Sequence, residues 1–207
     1  MKFKFEPYRL ILAAFMLVCA AGTAAAVVIS THSPAGCVFP GTNQWQSYTT
    51  TFGEDHDYAS SVSKMSFTTY NGLVWGGTAT SLVTVDNRTG LMWVTNMVDA
   101  GVPNTSSSTW EGAITLCEGL NYAGFTDWRL PNIRELVSIV DFSLYSPAIN
   151  TNYFLNTHNT SLDYYWSSST ASNSISNAFF IKFYDGLTSN SGGKSVSNYV
   201  ICVRGGP

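Results

Sequence analysis

Apolar residues fall into helical spacing only twice in this chain of 207 residues, and both windows are short. In "STWEGAITLCEGL" Trp110, Ala113, Ile114, Cys117 and Leu120 recur every three or four positions and make one stripe. In "PNIRELVSIVD" Ile133, Leu136, Val137 and Val140 do the same. Each window opens on a capping-box pattern, Ser108 with Glu111 and Asn132 with Glu135. In such a box each side chain accepts from a backbone N–H that the first turn leaves without a partner. Gly124 is expected to stop the first helix. Everywhere else the order is period two or none, so the two helices must lie on sheets, and the expected class is α+β.

The strand-like runs are placed accordingly. "SFTTYNGLVWGG" and "TSLVTVDNRTGLMWVTN" are rich in β-branched and aromatic residues, and "DNRTG" is a turn signal between two runs. A hairpin is expected there, with Val83, Val85, Leu91 and Trp93 on apolar faces. Near the end, "NAFFIKFYDGLTSN" runs into an Asp185-Gly186 turn signal, with "SVSNYVICVRGG" as the expected return strand. Phe179, Ile181 and Phe183 alternate with Phe180, Lys182 and Tyr184; Val200, Cys202 and Arg204 alternate with Tyr199, Ile201 and Val203. Between the helices, "TDWRLPNI" carries Trp128 and Arg129 into their junction, where Arg129 is expected to pack on an aromatic ring and donate to nearby carbonyls. Residues 142–177 read as a long loop with aromatic anchors, Tyr145 and Phe154 among them.

The start of the chain has the three zones of an export signal: basic residues (Lys2, Lys4, Arg9), an apolar run, and small residues at Ala24 and Ala26. Residues 1–26 are therefore expected to be a signal peptide. An uncleaved anchor helix and a lipidated Cys19 are the other readings. Residues 27–79 follow as an irregular Ser/Thr/Gly-rich segment ending in an edge strand, and residues 80–207 as the domain. After cleavage no stable membrane insertion is expected, so the protein is placed as secreted, periplasmic or on the cell surface. Thiols outside the cytosol are oxidised. Cys117 on the helix stripe and Cys202 on the last strand both face a core and are the expected pair. Cys37 is then left either free or joined to another chain.

Only 11% of residues are charged and the formal net charge is −3, which speaks against a nucleic-acid partner. A catalytic constellation is not visible. Glu54, Asp55, His56 and Asp57 are adjacent on an extended run and point apart, and "WSSSTAS" lacks a nucleophile elbow. Neither a metal site nor a cofactor is expected. Binding has more to work with. The final hairpin mixes short polar groups with rigid aromatics, the composition of recognition loops, and Asn173, Asn177, Lys182, Tyr184, Asn190, Lys194, Ser197 and Tyr199 are the candidate ligand-binding residues.

Five segments also stand in one order: "VDNRTGLMW", W-E-x-A-x-x-x-C-x-x-L from Trp110 to Leu120, "GFTDWRLPNIRELVSIVD", "YYWSSST" and "CVRGG". The series resembles the Lcl C-terminal domain family, named from the end of a bacterial collagen-like surface adhesin. The resemblance implies a C-type-lectin-like fold akin to formylglycine-generating enzymes, with two helices packed on twisted antiparallel sheets and a Cys117–Cys202 bridge. It also implies surface adhesion, with relatives that look like glycan binders and others diversified in the final hairpin. The calcium-dependent sugar motifs of C-type lectins, Glu-Pro-Asn and Trp-Asn-Asp, are absent, and the oxidases' C-terminal cysteine pair is reduced to Cys202. The expected function is an exported, non-enzymatic binding domain for a surface glycan or protein. The alternative is a structural subunit of a surface appendage, with oligomers possible in either case.

Overall fold

The computed structural model describes residues 39–58, 62–102 and 107–205. The expected signal segment, Cys19 and Cys37 lie outside them. The described elements make an α+β unit of two helices and two antiparallel sheets, with a short parallel pair, β1 (Phe39–Pro40) and β2 (Val62–Ser63), beside them. The first sheet has the order β3 (Phe67–Asn71), β4 (Leu82–Asp86), β5 (Met92–Val94) and β9 (Val203–Arg204). The second has β6 (Tyr165–Thr170), β7 (Asn177–Ile181) and β8 (Thr188–Gly193). The expected hairpin through "DNRTG" is the β4–β5 pair, where Asp86 accepts from the Arg88 N–H and the Thr89 hydroxyl. Residues 41–58 are irregular apart from a 3₁₀ turn, Asp55–Tyr58.

Period-two alternation separates two cores. Along the last segment Val200 and Cys202 enter one cluster of buried side chains, while Ile201 and Val203 enter the other. Strand β5 divides likewise, Met92 and Val94 against Trp93, and β6 divides Trp166 from Tyr165. Helix α1 (Trp110–Glu118) closes the first core with Ala113 and Cys117, and α2 (Ile133–Ser138) closes the second with Leu136. The disulfide joins Cys117 to Cys202 across 85 residues and ties α1 to the strand that runs between the cores.

Four expectations need correction. Helix α1 is capped by Thr109, whose hydroxyl accepts from the Gly112 N–H, and not by Ser108. Ser108 is held instead in a two-way backbone bridge with Asn198, so Glu111 falls one position too early to complete a capping box. The helix ends at Gly119, before Gly124. Arg129 does not pack on a ring and donate to carbonyls. Its fork grips the two carboxylate oxygens of Glu135 at 2.8 and 2.6 Å, the same carboxylate that completes the Asn132 capping box. Finally, β7 is not returned by "SVSNYVICVRGG". Its partner is the polar strand β8, and the C-terminal segment instead bridges β6 at Tyr199 and then pairs Val203 and Arg204 with β5.

Helix α2 itself stands where its Asn132 signal places it, though it closes at Ser138, with Ile139 and Val140 buried just beyond. Trp128 is buried in the first core and donates from Nε1 to the Tyr122 carbonyl. Asp127 faces out and pairs with Arg204, and hydrogen bonding from that guanidinium holds its carboxyl below the usual range.

Candidate functional site

The eight expected binding residues lie in three places along the final hairpin and the segment after it. At the turn end of the β7–β8 hairpin stand Lys182 and Tyr184. At the other end, Asn190 donates to Asn173 at 3.4 Å, Asn177 begins β7 opposite Gly193, and the Lys194 ammonium sits 3.8 Å over the Trp110 ring while donating to the Thr170 hydroxyl. On the crossing segment, Ser197 is exposed, while Tyr199 is half-buried and stacked on His158 at 3.8 Å. Burial, and then the nearby Asp163, raise the pKa of the Tyr199 phenol. The small void beside it holds only about 30 Å³, room for roughly one water. Both expected cations are engaged within the protein, since Lys182 forms a 3.0 Å ion pair with Asp185 across its own turn.

The turn end is built as a surface. The β7–β8 connection closes with Lys182 N–H donating to the Leu187 carbonyl and Gly186 N–H to the Lys182 carbonyl. Gly186 has φ +77°, and a Cβ there would meet Val140 at 2.8 Å and the Phe142 ring at 3.1 Å. Glycine therefore lets the turn lie flat on the segment after α2. That segment is stitched to the turn by Ser146 N–H to the Tyr184 carbonyl (2.8 Å) and Ala148 N–H to the Phe183 carbonyl (2.6 Å). The stitching brings Tyr145 against Tyr184: their rings meet edge-on at 5.0 Å and the Tyr145 hydroxyl donates to that of Tyr184 at 2.6 Å. That hydrogen bond raises the Tyr145 pKa. Tyr145 is 69% exposed, with Leu187 at 52% and Phe142 at 45% beside it.

Phe142 also forms one wall of an open cleft of about 470 Å³ between the β4–β5 turn, α2 and the 41–42 segment. Val137 and Val140 supply further apolar wall, and Arg88 and Arg134 the charge. The 41–43 segment is strapped across by three contacts. The Arg88 Nη1–H donates to the Gly41 carbonyl, the Phe142 N–H to the Thr42 carbonyl, and the Asn43 amide to the buried Asp141.

Sequence reasoning passed over Phe142, Arg88 and Arg134, and read Tyr145 only as a loop anchor. One signal was available: Arg134 has no acidic residue three or four positions away on its helix, and Glu135 belongs to Arg129. The carboxylates of "GEDHDY" act locally. Asp55 accepts from Thr42, Glu54 from the Tyr48 N–H, and Asp57 from the Gly53 and Glu54 N–H groups. Among the described residues no group of three or more His, Cys, Asp or Glu side chains converges to hold a metal ion, and no helix is long and apolar enough to cross a membrane.

A family model described as the Lcl C-terminal domain matches residues 82–204, more than half of the chain. The chain belongs to the Lcl C-terminal domain family. No curated protein matches it.

Proposed function

From membership of that family and the surface just described, we propose that this is an exported, non-enzymatic binding domain. Its scaffold is C-type-lectin-like, akin to that of formylglycine-generating enzymes, and its ligand is a glycan or protein on another surface. The observation that carries the reading is the exposed Tyr145 ring braced on the half-buried Tyr184, with exposed Phe142 and Leu187 on the same two chain segments. Clustered exposed apolar area of this kind marks interaction sites on soluble domains. Two-torsion aromatic side chains supply contact at a low ordering cost, and here one ring already braces the other. A sugar face or an apolar side chain can lie on such rings while the hydroxyls keep hydrogen-bonding capacity.

The test is a glycan-array and surface-binding screen of the full chain beside Tyr145→Ala, Tyr184→Ala and the double variant. Loss of a tyrosine that anchors the ligand lowers affinity about tenfold or more; the melting temperature should stay unchanged for the exposed Tyr145→Ala, while the half-buried Tyr184 is replaced at a small cost that melting of the same variant measures. Tyr199→Ala is the contrasting control. Its ring stacks on His158 against the second core, so it is expected to lower stability. A double tyrosine variant that binds like the parent removes the reading. A parent with no ligand on either screen transfers the domain to the assembly alternative.

A further inference from the structure

We infer that the cleft behind Phe142 is a second subsite, selective for a carboxylate carried on an apolar body, such as an acidic-apolar peptide segment. The inference rests on the reading of this end of the molecule as a binding surface, and it names the ligand chemistry of one part of that surface.

Charge is the first observation. Among the described residues Arg129 and Arg204 are gripped by Glu135 and Asp127, whereas Arg88 and Arg134 have no carboxylate partner. Both unpaired guanidinium groups line this one cleft, and no acidic residue lines it with them. On a chain with formal net charge −3, that is a local inversion of sign. Arg88 is fixed, with Nη1 and Nη2 donating to the Gly41 and Ser138 carbonyls at 3.3 and 2.7 Å. Its Nε–H is buried with no hydrogen-bond partner in the protein. A guanidinium matched by carbonyl dipoles and by no carboxylate keeps its charge as an attraction for an anion in the cleft it lines. Arg134 is exposed, and its free fork can take a carboxylate in the bidentate geometry.

The body attached to that anion follows from the walls. Val137, Val140 and Phe142 offer only apolar contact. The three hydroxyls at the rim already donate elsewhere: Thr42 to Asp55, Thr89 to Asp86, and Ser138 to the Glu135 carbonyl. A polyhydroxylated ring placed here would find side-chain acceptors only in those three oxygens at the rim and side-chain donors only in the guanidinium groups, so hydroxyls facing Val137, Val140 and Phe142 would be left unsatisfied, and unsatisfied buried polar groups cost affinity. An aliphatic or aromatic side chain beside a carboxylate matches both halves of the cleft.

The test is an amide chemical-shift titration of the full chain with N-acetyl-L-phenylalanine, its uncharged amide, and N-acetylglucosamine 6-sulfate. The acid is expected to move signals within 88–89 and 134–142, and the amide to bind at least about tenfold more weakly. Arg134→Gln, at an exposed position that leaves the fold intact, is expected to weaken the acid at least about fivefold without changing the response to the amide. Arg134→Lys, which keeps the charge but not the fork, is expected to fall between the two. Equal binding of acid and amide, an unaltered Arg134→Gln titration, or tighter cleft binding of the sulfated sugar would each overturn the inference. Tyrosine variants that keep their surface ligand defeat the platform reading while leaving these outcomes to be judged separately.

Discussion

Removing the Cys117–Cys202 bridge by the double replacement C117A/C202A tests the architecture most directly, because both sulfurs are fully buried and join the two halves of the first core. The magnitude follows from the loop. In the chain-entropy description, a cross-link spanning 85 residues removes about 15 cal/mol/K from the unfolded ensemble, or about 4.6 kcal/mol at 25 °C. Loss of sulfur packing adds to this. At roughly 2–4 °C per kcal/mol for a domain of this size class, the melting temperature should fall by roughly 10–20 °C. Calorimetry and urea unfolding of the parent, both single variants and the double variant decide the matter. Each single change already breaks the bridge, so either one is expected to cost nearly as much as the double. A double variant within about 1 kcal/mol of the parent, or single costs that add up to the double cost, refutes the role given to the bridge.

Three further outcomes are expected. Gly192→Ala places a Cβ 2.6 Å from the Trp166 ring and 2.8 Å from Phe180, so urea unfolding should show a loss of about 1–3 kcal/mol. Gly193→Ala, which meets only Val196 at 3.8 Å, should be near neutral; equal effects would mean that the rings do not lie over β8. Burial alone would raise the Glu135 pKa, but the Arg129 fork and the Asn132 N–H outweigh it and hold the carboxyl below its usual range. A depressed folded pKa contributes stability above the unfolded value of about 4.3 that is lost as pH falls through the folded value. Glu135→Gln should therefore cost about 1–2 kcal/mol at pH 7, with the gap to the parent closing below about pH 4; a gap constant from pH 7 to 3 counts against the pairing. Trp128→Phe removes the donor to the buried Tyr122 carbonyl and should cost about 2–4 kcal/mol by thermal melting, whereas a change under about 0.5 kcal/mol denies that hydrogen bond a structural role.

The parts of the fold set by local chemistry were legible in advance. Asn132 with Glu135 announces α2, the "DNRTG" run announces its hairpin, and the period-two order of residues 199–203 announces side chains that alternate between two faces, although only Val203–Arg204 form a strand. What escaped was decided at long range. "TSNSGG" has no strand propensity, yet it pairs with β7 because Gly192 leaves space for the Trp166 and Phe180 rings to cover it. "NYVICV" does have strand propensity, but it is shared between the sheets, with Tyr199 bridging to Tyr165 of β6 and Val203 pairing with β5. Ser108 satisfies the capping pattern as well as Thr109 does, and only the bridge to Asn198, 90 residues on, chooses between them. The candidate surface was half visible. Tyr184 stood out in the hairpin, but its partner Tyr145 lies 39 residues upstream in a tract that carries no periodic signal.

Folding and the proposed binding are separable at this end of the molecule, and the two-core arrangement explains why. The β7–β8 turn is anchored from beneath, where Phe183 packs in the second core and Gly186 rests against Val140, so its upper side chains are not needed to hold it. Exposed positions such as Tyr145, Leu187 and Arg134 should each change stability by less than about 0.5 kcal/mol, which leaves them free to set affinity. Arg88 is different. Its guanidinium holds the Gly41 and Ser138 carbonyls together, so its replacement would loosen the 41–43 strap and α2 at once. Any variant series on this surface should therefore keep Arg88 and vary Arg134. A loss of ligand on changing Arg134 then reports on the contact itself, whereas the same loss on changing Arg88 would mix the contact with the scaffold that presents it.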